Sequence, residues 1–132
     1  MNAINTVLPL LSAPELVELG RCMPGSSACN ACVALACPGW ESLPGGFDVK
    51  SLHCIGTLRV SDEEDPTLDE HLPEGVRTWS TEAPIDPRYF PYNRCTVWKC
   101  IACGRPFLRY TEYGGYYVDE RIRELTADRV QV

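Results

Sequence analysis

Histidine and lysine are scarce in this 132-residue chain: it has two His, and Arg supplies ten of the twelve basic residues. A Cys–His nucleophile pair therefore has only His53 or His71 to draw on, and nothing in the sequence positions either one. Basic charge is in deficit, 12 Lys plus Arg against 18 Asp plus Glu for a net charge of −6. That balance argues against a general nucleic-acid binder, which needs a basic face for the phosphate backbone. No apolar run approaches the length of a membrane span. The opening stretch Met1 to Leu11 lacks a basic n-region, and Pro9 breaks its brief apolar part, which makes it a poor secretory signal. Gly-rich phosphate loops, a G-x-S-x-G elbow, H-E-x-x-H and a placeable pair of carboxylates are also missing. These absences point to a cytoplasmic protein with a binding role rather than a catalytic one.

Cysteine is the exception, with eight residues. In a reducing compartment, Cys pairs two residues apart are more often metal ligands than disulfides. The remaining composition, 45% apolar and 23% charged, is that of an ordinary folded domain. At this length a single domain is expected.

Four zones follow along the chain. Ser12 can cap a short helix that begins near Ala13-Pro14, with Leu16, Val17 and Leu19 on its apolar side and Gly20 as a stop. Cys22 to Leu58 holds five of the Cys and is punctuated by three Pro-Gly pairs, so only short elements fit. Within it, Ser27 can cap a helix through Cys29 to Ala36, and Asp48 another through Leu52. From Ser61 to Gly75 the charges are all acidic, including Asp62, Glu63, Glu64 and Asp65, and a proline-rich loop follows up to Tyr92. Such a run is either a solvated loop or a surface for a cationic partner. Beyond Asn93 the pattern predicts strands at Thr96-Val97-Trp98, Phe107 to Tyr113 and Tyr116-Tyr117-Val118, with Gly114-Gly115 as a two-residue hairpin turn. Asp119 then reads as the cap of a helix through Arg121, Ile122 and Leu125.

The strongest motif is Cys100-Ile-Ala-Cys103-Gly104-Arg105 between two predicted strands. Two thiolates on one tight turn converge on a metal, and Gly104 lets the chain turn without a Cβ clash. A redox pair of the thioredoxin kind would sit between a strand and a helix instead. A closed tetrahedral zinc site needs two further ligands. Cys29 and Cys32 form the second C-x-x-C, 67 residues upstream. The rival pair is His71 with Cys95, although Cys95 lies about 16 Å from Cys100 if the strand is fully extended. Cys22, Cys29, Cys32 and Cys37 also have the makings of a separate site for zinc or an iron–sulfur cluster, although their spacing matches neither familiar ferredoxin run.

Near the C-terminus, Arg105, Arg109, Arg121 and Arg123 interleave with Tyr110, Tyr113, Tyr116 and Tyr117. That composition suits a binding face for a protein, or a stacking platform for single-stranded bases.

The stretch from Thr57 to Leu125 resembles a family of small bacterial proteins of uncharacterised function. The resemblance rests on Gly56-Thr57-Leu58, Trp79-Ser80, Tyr89 to Cys95, Cys100-x-x-Cys103-Gly104-Arg105 and the Tyr-rich Tyr110 to Tyr117. The family's His-Pro loop reads His71-Leu72-Pro73 here, with one residue inserted. The resemblance implies a ligand set of His71, Cys95, Cys100 and Cys103, and it implies no particular activity.

The expectation is thus a single α+β domain: a zinc-knuckle or zinc-ribbon-like antiparallel sheet with short helices and long loops. Residues 1–58 form its Cys-rich part, 59–92 its acidic and proline-rich loops, and 93–132 the knuckle hairpin and a C-terminal helix. One structural Zn2+ is expected on Cys29, Cys32, Cys100 and Cys103. The expected function is a non-enzymatic protein-interaction module, in concrete form an immunity-type inhibitor that captures a basic toxin through Asp62 to Asp65 and the Tyr/Arg face. The alternatives are a thiol–disulfide protein using Cys29 and Cys32, and a nucleic-acid-associated zinc ribbon.

Overall fold

The computed structural model describes residues 8–21, 31–32, 35, 39–60, 67–114 and 116–131. Its centre is one antiparallel sheet of five strands, in the order β1-β5-β4-β3-β2. The strands are β1 (Glu41–Ser42), β2 (Leu52–Thr57), β3 (Thr96–Cys100), β4 (Pro106–Tyr113) and β5 (Val118–Glu124). One α-helix, α1 (Ala13–Arg21), and single 3-10 turns at Val49–Ser51, Tyr92–Arg94 and Ala127–Arg129 complete the regular structure among the described residues. None of the described helices is long and apolar enough to cross a membrane.

Local chemistry accounts for the helix starts. The Ser12 hydroxyl accepts the Glu15 N–H, and the Glu15 carboxylate accepts the Ser12 N–H at 2.9 Å, a reciprocal capping box. Asp48 caps the turn before β2 by accepting the Lys50 N–H. Gly20 does not stop α1, which runs on to Arg21. A Cβ at Gly20 would stand 2.7 Å from the backbone nitrogen of Ala127, so Gly20 is where the C-terminal turn comes down on the helix.

Strand alternation sends side chains into two cores, one on each face of the sheet. Val97, Leu108 and Tyr110 point to the first, where Leu16 of α1, Trp40, Leu58, Ile85, Tyr92, Cys95, Leu125 and Val130 close over them. Cys100, Phe107, Ile122 and Leu52 point to the second, which is covered by Cys32 and Leu35. The β2 ladder slips between Cys54, opposite Trp98, and Gly56, opposite Val97, a bulge that leaves Ile55 without a partner in the register.

Three sequence expectations change. The predicted helix at Asp119 to Leu125 is strand β5, paired with β4 from Phe107↔Glu124 through Tyr113↔Val118. There Ile122 enters the second core and Arg123 is fully buried. The pair Tyr113↔Val118 closes the ladder, so the connection spans four residues, 114–117, rather than two, with the Gly114 N–H bonded to the Tyr117 carbonyl. Tyr116 and Tyr117 belong to that loop and not to the strand. The predicted helix from Cys29 to Ala36 falls largely outside the described residues.

Candidate metal centre

The turn that joins β3 to β4 is built as the C-x-x-C-G motif requires. The Cys100 N–H bonds to the Arg105 carbonyl at 2.9 Å, and the Gly104 N–H returns to the Cys100 carbonyl at 2.7 Å. Gly104 has φ of +82°, the left-handed conformation that a side chain resists. Cys100 ends β3 fully buried, and Cys103 sits half-buried on the turn.

Cys32 reaches this turn from the other side of the second core. Its Sγ lies 3.6 Å from that of Cys103, and the sulfurs of Cys32, Cys100 and Cys103 all fall within 4.8 Å of one another. Zinc–sulfur bonds of about 2.3 Å in tetrahedral geometry put neighbouring sulfurs about 3.8 Å apart, so the three thiols are spaced for one ion. An all-sulfur donor set suits zinc, copper(I) or iron over hard cations. Arg105 lies 8% exposed beside the group, donating to the Cys103 sulfur and pairing with the Glu124 carboxylate. A buried guanidinium here offsets the charge that several thiolates would gather around a divalent ion.

The second core thus brings together three of the four expected ligands. Cys29 lies outside the described residues, as do Cys22 and Cys37. With Cys32 drawn to the knuckle, the separate cluster of Cys22, Cys29, Cys32 and Cys37 would have to give up one of its members.

The alternative ligands, His71 and Cys95, are placed elsewhere. Cys95 is in the first core, where its thiol donates to the Pro91 carbonyl at 3.3 Å and burial pushes its pKa well up. Cys95 leads into β3 directly after the Tyr92–Arg94 turn, and its side chain enters the core opposite to that of Cys100 at the strand's end. The His71 ring instead meets Asp86, with Nδ1 at 2.9 Å from the carboxylate. Asp86 is buried and also accepts two bonds from the Arg88 guanidinium. Burial alone would raise its pKa, but the Arg88 and His71 hydrogen bonds outweigh it and hold the carboxyl down at about 2. His53 is exposed on β2 opposite Lys99. Cys54 beside it is half-buried, and burial raises its thiol pKa.

The expected Tyr/Arg face divides. Tyr110 is buried, edge-on to Trp40 with ring centres 4.7 Å apart, and burial raises its pKa. It belongs to the core and not to a partner-binding surface. Arg109 is mostly covered, stacked on Trp98 at 4.5 Å and within 3.8 Å of Glu120. Tyr113, Tyr116 and Tyr117 are exposed at the hairpin tip, together with Val118. A hollow of about 360 Å³ opens beside Tyr113, lined also by Phe90, Leu68, Arg59 and Arg94. Asp62, Glu63, Glu64 and Asp65 lie outside the described residues.

Arg123, expected on the Tyr/Arg face, is instead fully buried. It donates to the Tyr92 hydroxyl at 2.5 Å and to the Thr81 carbonyl at 3.3 Å. On a strand it faces away from Ile122, toward Tyr92 and the first core, a placement that the expected helix hid.

Comparison with family models, with curated proteins and with solved structures finds no match for this chain.

Proposed function

We propose that this chain is a small zinc-stabilised protein-interaction module. In this reading, Cys32, Cys100 and Cys103 hold one structural Zn2+, and Cys29 completes the tetrahedron from the same C-x-x-C pair as Cys32. The convergence of three thiols within 4.8 Å carries the proposal. A metal at this point would tie the Cys-rich segment to the β3–β4 turn, across a core that few regular elements cover.

The recognition features are the acidic run Asp62 to Asp65 and the hairpin tip, where Tyr113, Tyr116, Tyr117 and Val118 stand exposed. Tyrosine supplies large contact area at low entropic cost, the composition of an interface anchor. The net charge of −6 favours a basic partner, in the manner of an immunity-type inhibitor that covers a cationic toxin. The zinc arm is tested by elemental analysis of protein purified under reducing conditions. About one zinc per chain, lost on Cys100→Ser, is the expected result, and a metal-free folded protein would sink it. The partner arm is tested by charge reversal at Asp62, Glu63, Glu64 and Asp65. Unchanged partner affinity and salt dependence would sink that arm.

A further inference from the structure

Cys32 and Cys103 come from segments 71 positions apart, yet they present their sulfurs to each other at 3.6 Å. A disulfide needs about 2.05 Å between sulfurs, so the closing movement is small. The two thiols differ in access. Cys103 is half-buried on a turn beside the exposed Ile101, whereas Cys32 is 2% exposed and Cys100 fully buried. An oxidant from solvent therefore meets Cys103 first, and the sulfur at 3.6 Å is positioned to resolve what forms there. Arg105 donates to the Cys103 sulfur, which places a cation beside the atom where the S–O bond forms and later breaks, and where negative charge develops on oxygen before the thiol proton reaches it.

We propose that Cys103 and Cys32 are a hydroperoxide-reactive pair, Cys103 the site of oxidation and Cys32 the resolving thiol. In the first step the Cys103 sulfur gives two electrons to the peroxide. The O–O bond breaks, an S–O bond forms, and the second oxygen leaves as water or alcohol with the proton from the thiol. In the second step the Cys32 sulfur attacks the Cys103 sulfenic acid. The S–S bond forms, the S–O bond breaks, and water leaves with the Cys32 proton. Two thiols and one hydrogen peroxide thus give one disulfide and two waters. A metal bound by these sulfurs loses two ligands at once and is released. That release rests on the zinc reading above, and the cross-link itself does not. The pair differs from a Cys29–Cys32 redox motif because it joins two distant segments instead of closing one short loop.

The test treats the full-length, reduced chain, incubated beforehand with Zn2+, with increasing hydrogen peroxide. Free zinc is followed with a chromogenic chelator, and disulfides are assigned by tandem mass spectrometry without reduction. The expected result is a Cys32–Cys103 cross-link that grows with peroxide, is reversed by a phosphine reductant, and is accompanied by an equal release of zinc. A Cys103→Ser chain should lose both, while Cys54→Ser should lose neither. The wild-type map alone decides the matter where Cys103→Ser fails to fold. A Cys100–Cys103 link, sulfinic acid at Cys103 without a cross-link, or two free thiols under excess peroxide would each overturn the pair. A cross-link in a chain that never took up zinc would uphold the pair and overturn only the zinc reading.

Discussion

Cys95 stands directly before strand β3 and Cys100 ends it five residues on, and their side chains enter opposite cores. Cys95 already has extended backbone where it leads into β3, so the strand's alternation reaches it and gives positions of unlike parity opposite sides of the sheet. The two thiols should therefore respond differently to the same substitution. Cys100→Ser should abolish metal uptake. Cys95→Ser should leave metal content at the wild-type value and cost about 1 kcal/mol of stability, since a hydroxyl can keep the bond to the Pro91 carbonyl. Zinc-to-protein ratios and urea midpoints for the two variants check this. Loss of metal in Cys95→Ser would restore Cys95 as a ligand.

Arg105 and Glu124 form a buried ion pair against the thiol group. Removing one partner alone would strand a charge, so the informative variant is the double change Arg105→Met with Glu124→Gln. Its fold stability should stay close to wild type in the metal-free state. Metal affinity should fall about 10- to 100-fold, the usual consequence of losing an outer-shell partner of a ligand. Competition with a chelator of known affinity measures the change. Undiminished affinity would mean that Arg105 serves the fold and not the metal.

The parts of the fold legible in the sequence are those set by local chemistry. Ser12 with Glu15 marks the start of α1, Asp48 marks the turn before β2, and Cys103-Gly104 marks the β3–β4 turn, each through bonds that close within a few residues. Strands β3 and β4 were legible as well, from the apolar and β-branched runs at Thr96 to Trp98 and Phe107 to Tyr113, whereas elements without such a run that are fixed by distant contacts were not. Ile122 and Leu125 lie three apart, which imitates a helical stripe, but pairing along β4 holds that segment extended and sends the two side chains to different cores. Strand β2 was hidden because Gly56 and the bulge before it interrupt the period of two. At the site, the Cys100–Cys103 pair was readable from spacing alone. The approach of Cys32 was only one option among several, because a 67-residue gap fixes no geometry.

Asp86 ties together the 67–95 loop by accepting from His71, from the Arg88 guanidinium and from the Arg88 N–H. Its pKa of about 2 lies below the ordinary 3.8. A carboxyl depressed in the folded state stabilises the protein above its unfolded pKa, and this contribution fades as pH falls from about 4 to about 2. Because Arg88 is largely exposed, solvent screening limits the contribution to about 1–2 kcal/mol. Asp86→Asn should show a deficit of that size near neutral pH, and the gap to wild type should narrow through the acid range. Denaturant titrations of both proteins at several pH values test the sign. A gap that widens on acidification would contradict it.

The Tyr92 hydroxyl accepts the Trp40 indole N–H at 3.2 Å and a guanidinium N–H of Arg123 at 2.5 Å, all inside the first core. Arg123 is fully buried, and its ring contact with Tyr92 spans 6.0 Å. Burying a guanidinium is costly unless its donors are met, so the phenol oxygen matters more than its own net hydrogen-bond worth. Tyr92→Phe keeps the ring packing and removes that single atom, leaving one indole donor and one guanidinium donor without their acceptor. The expected cost is about 2–3 kcal/mol, above that of an ordinary lost hydrogen bond. Replacing Arg123 as well, in Tyr92→Phe with Arg123→Met, should recover part of the loss, because the charge that needed the oxygen is then gone. Urea denaturation of the two single variants and the double variant closes the cycle. Strictly additive losses would show that Tyr92 and Arg123 act independently, and that the buried charge is satisfied without the phenol.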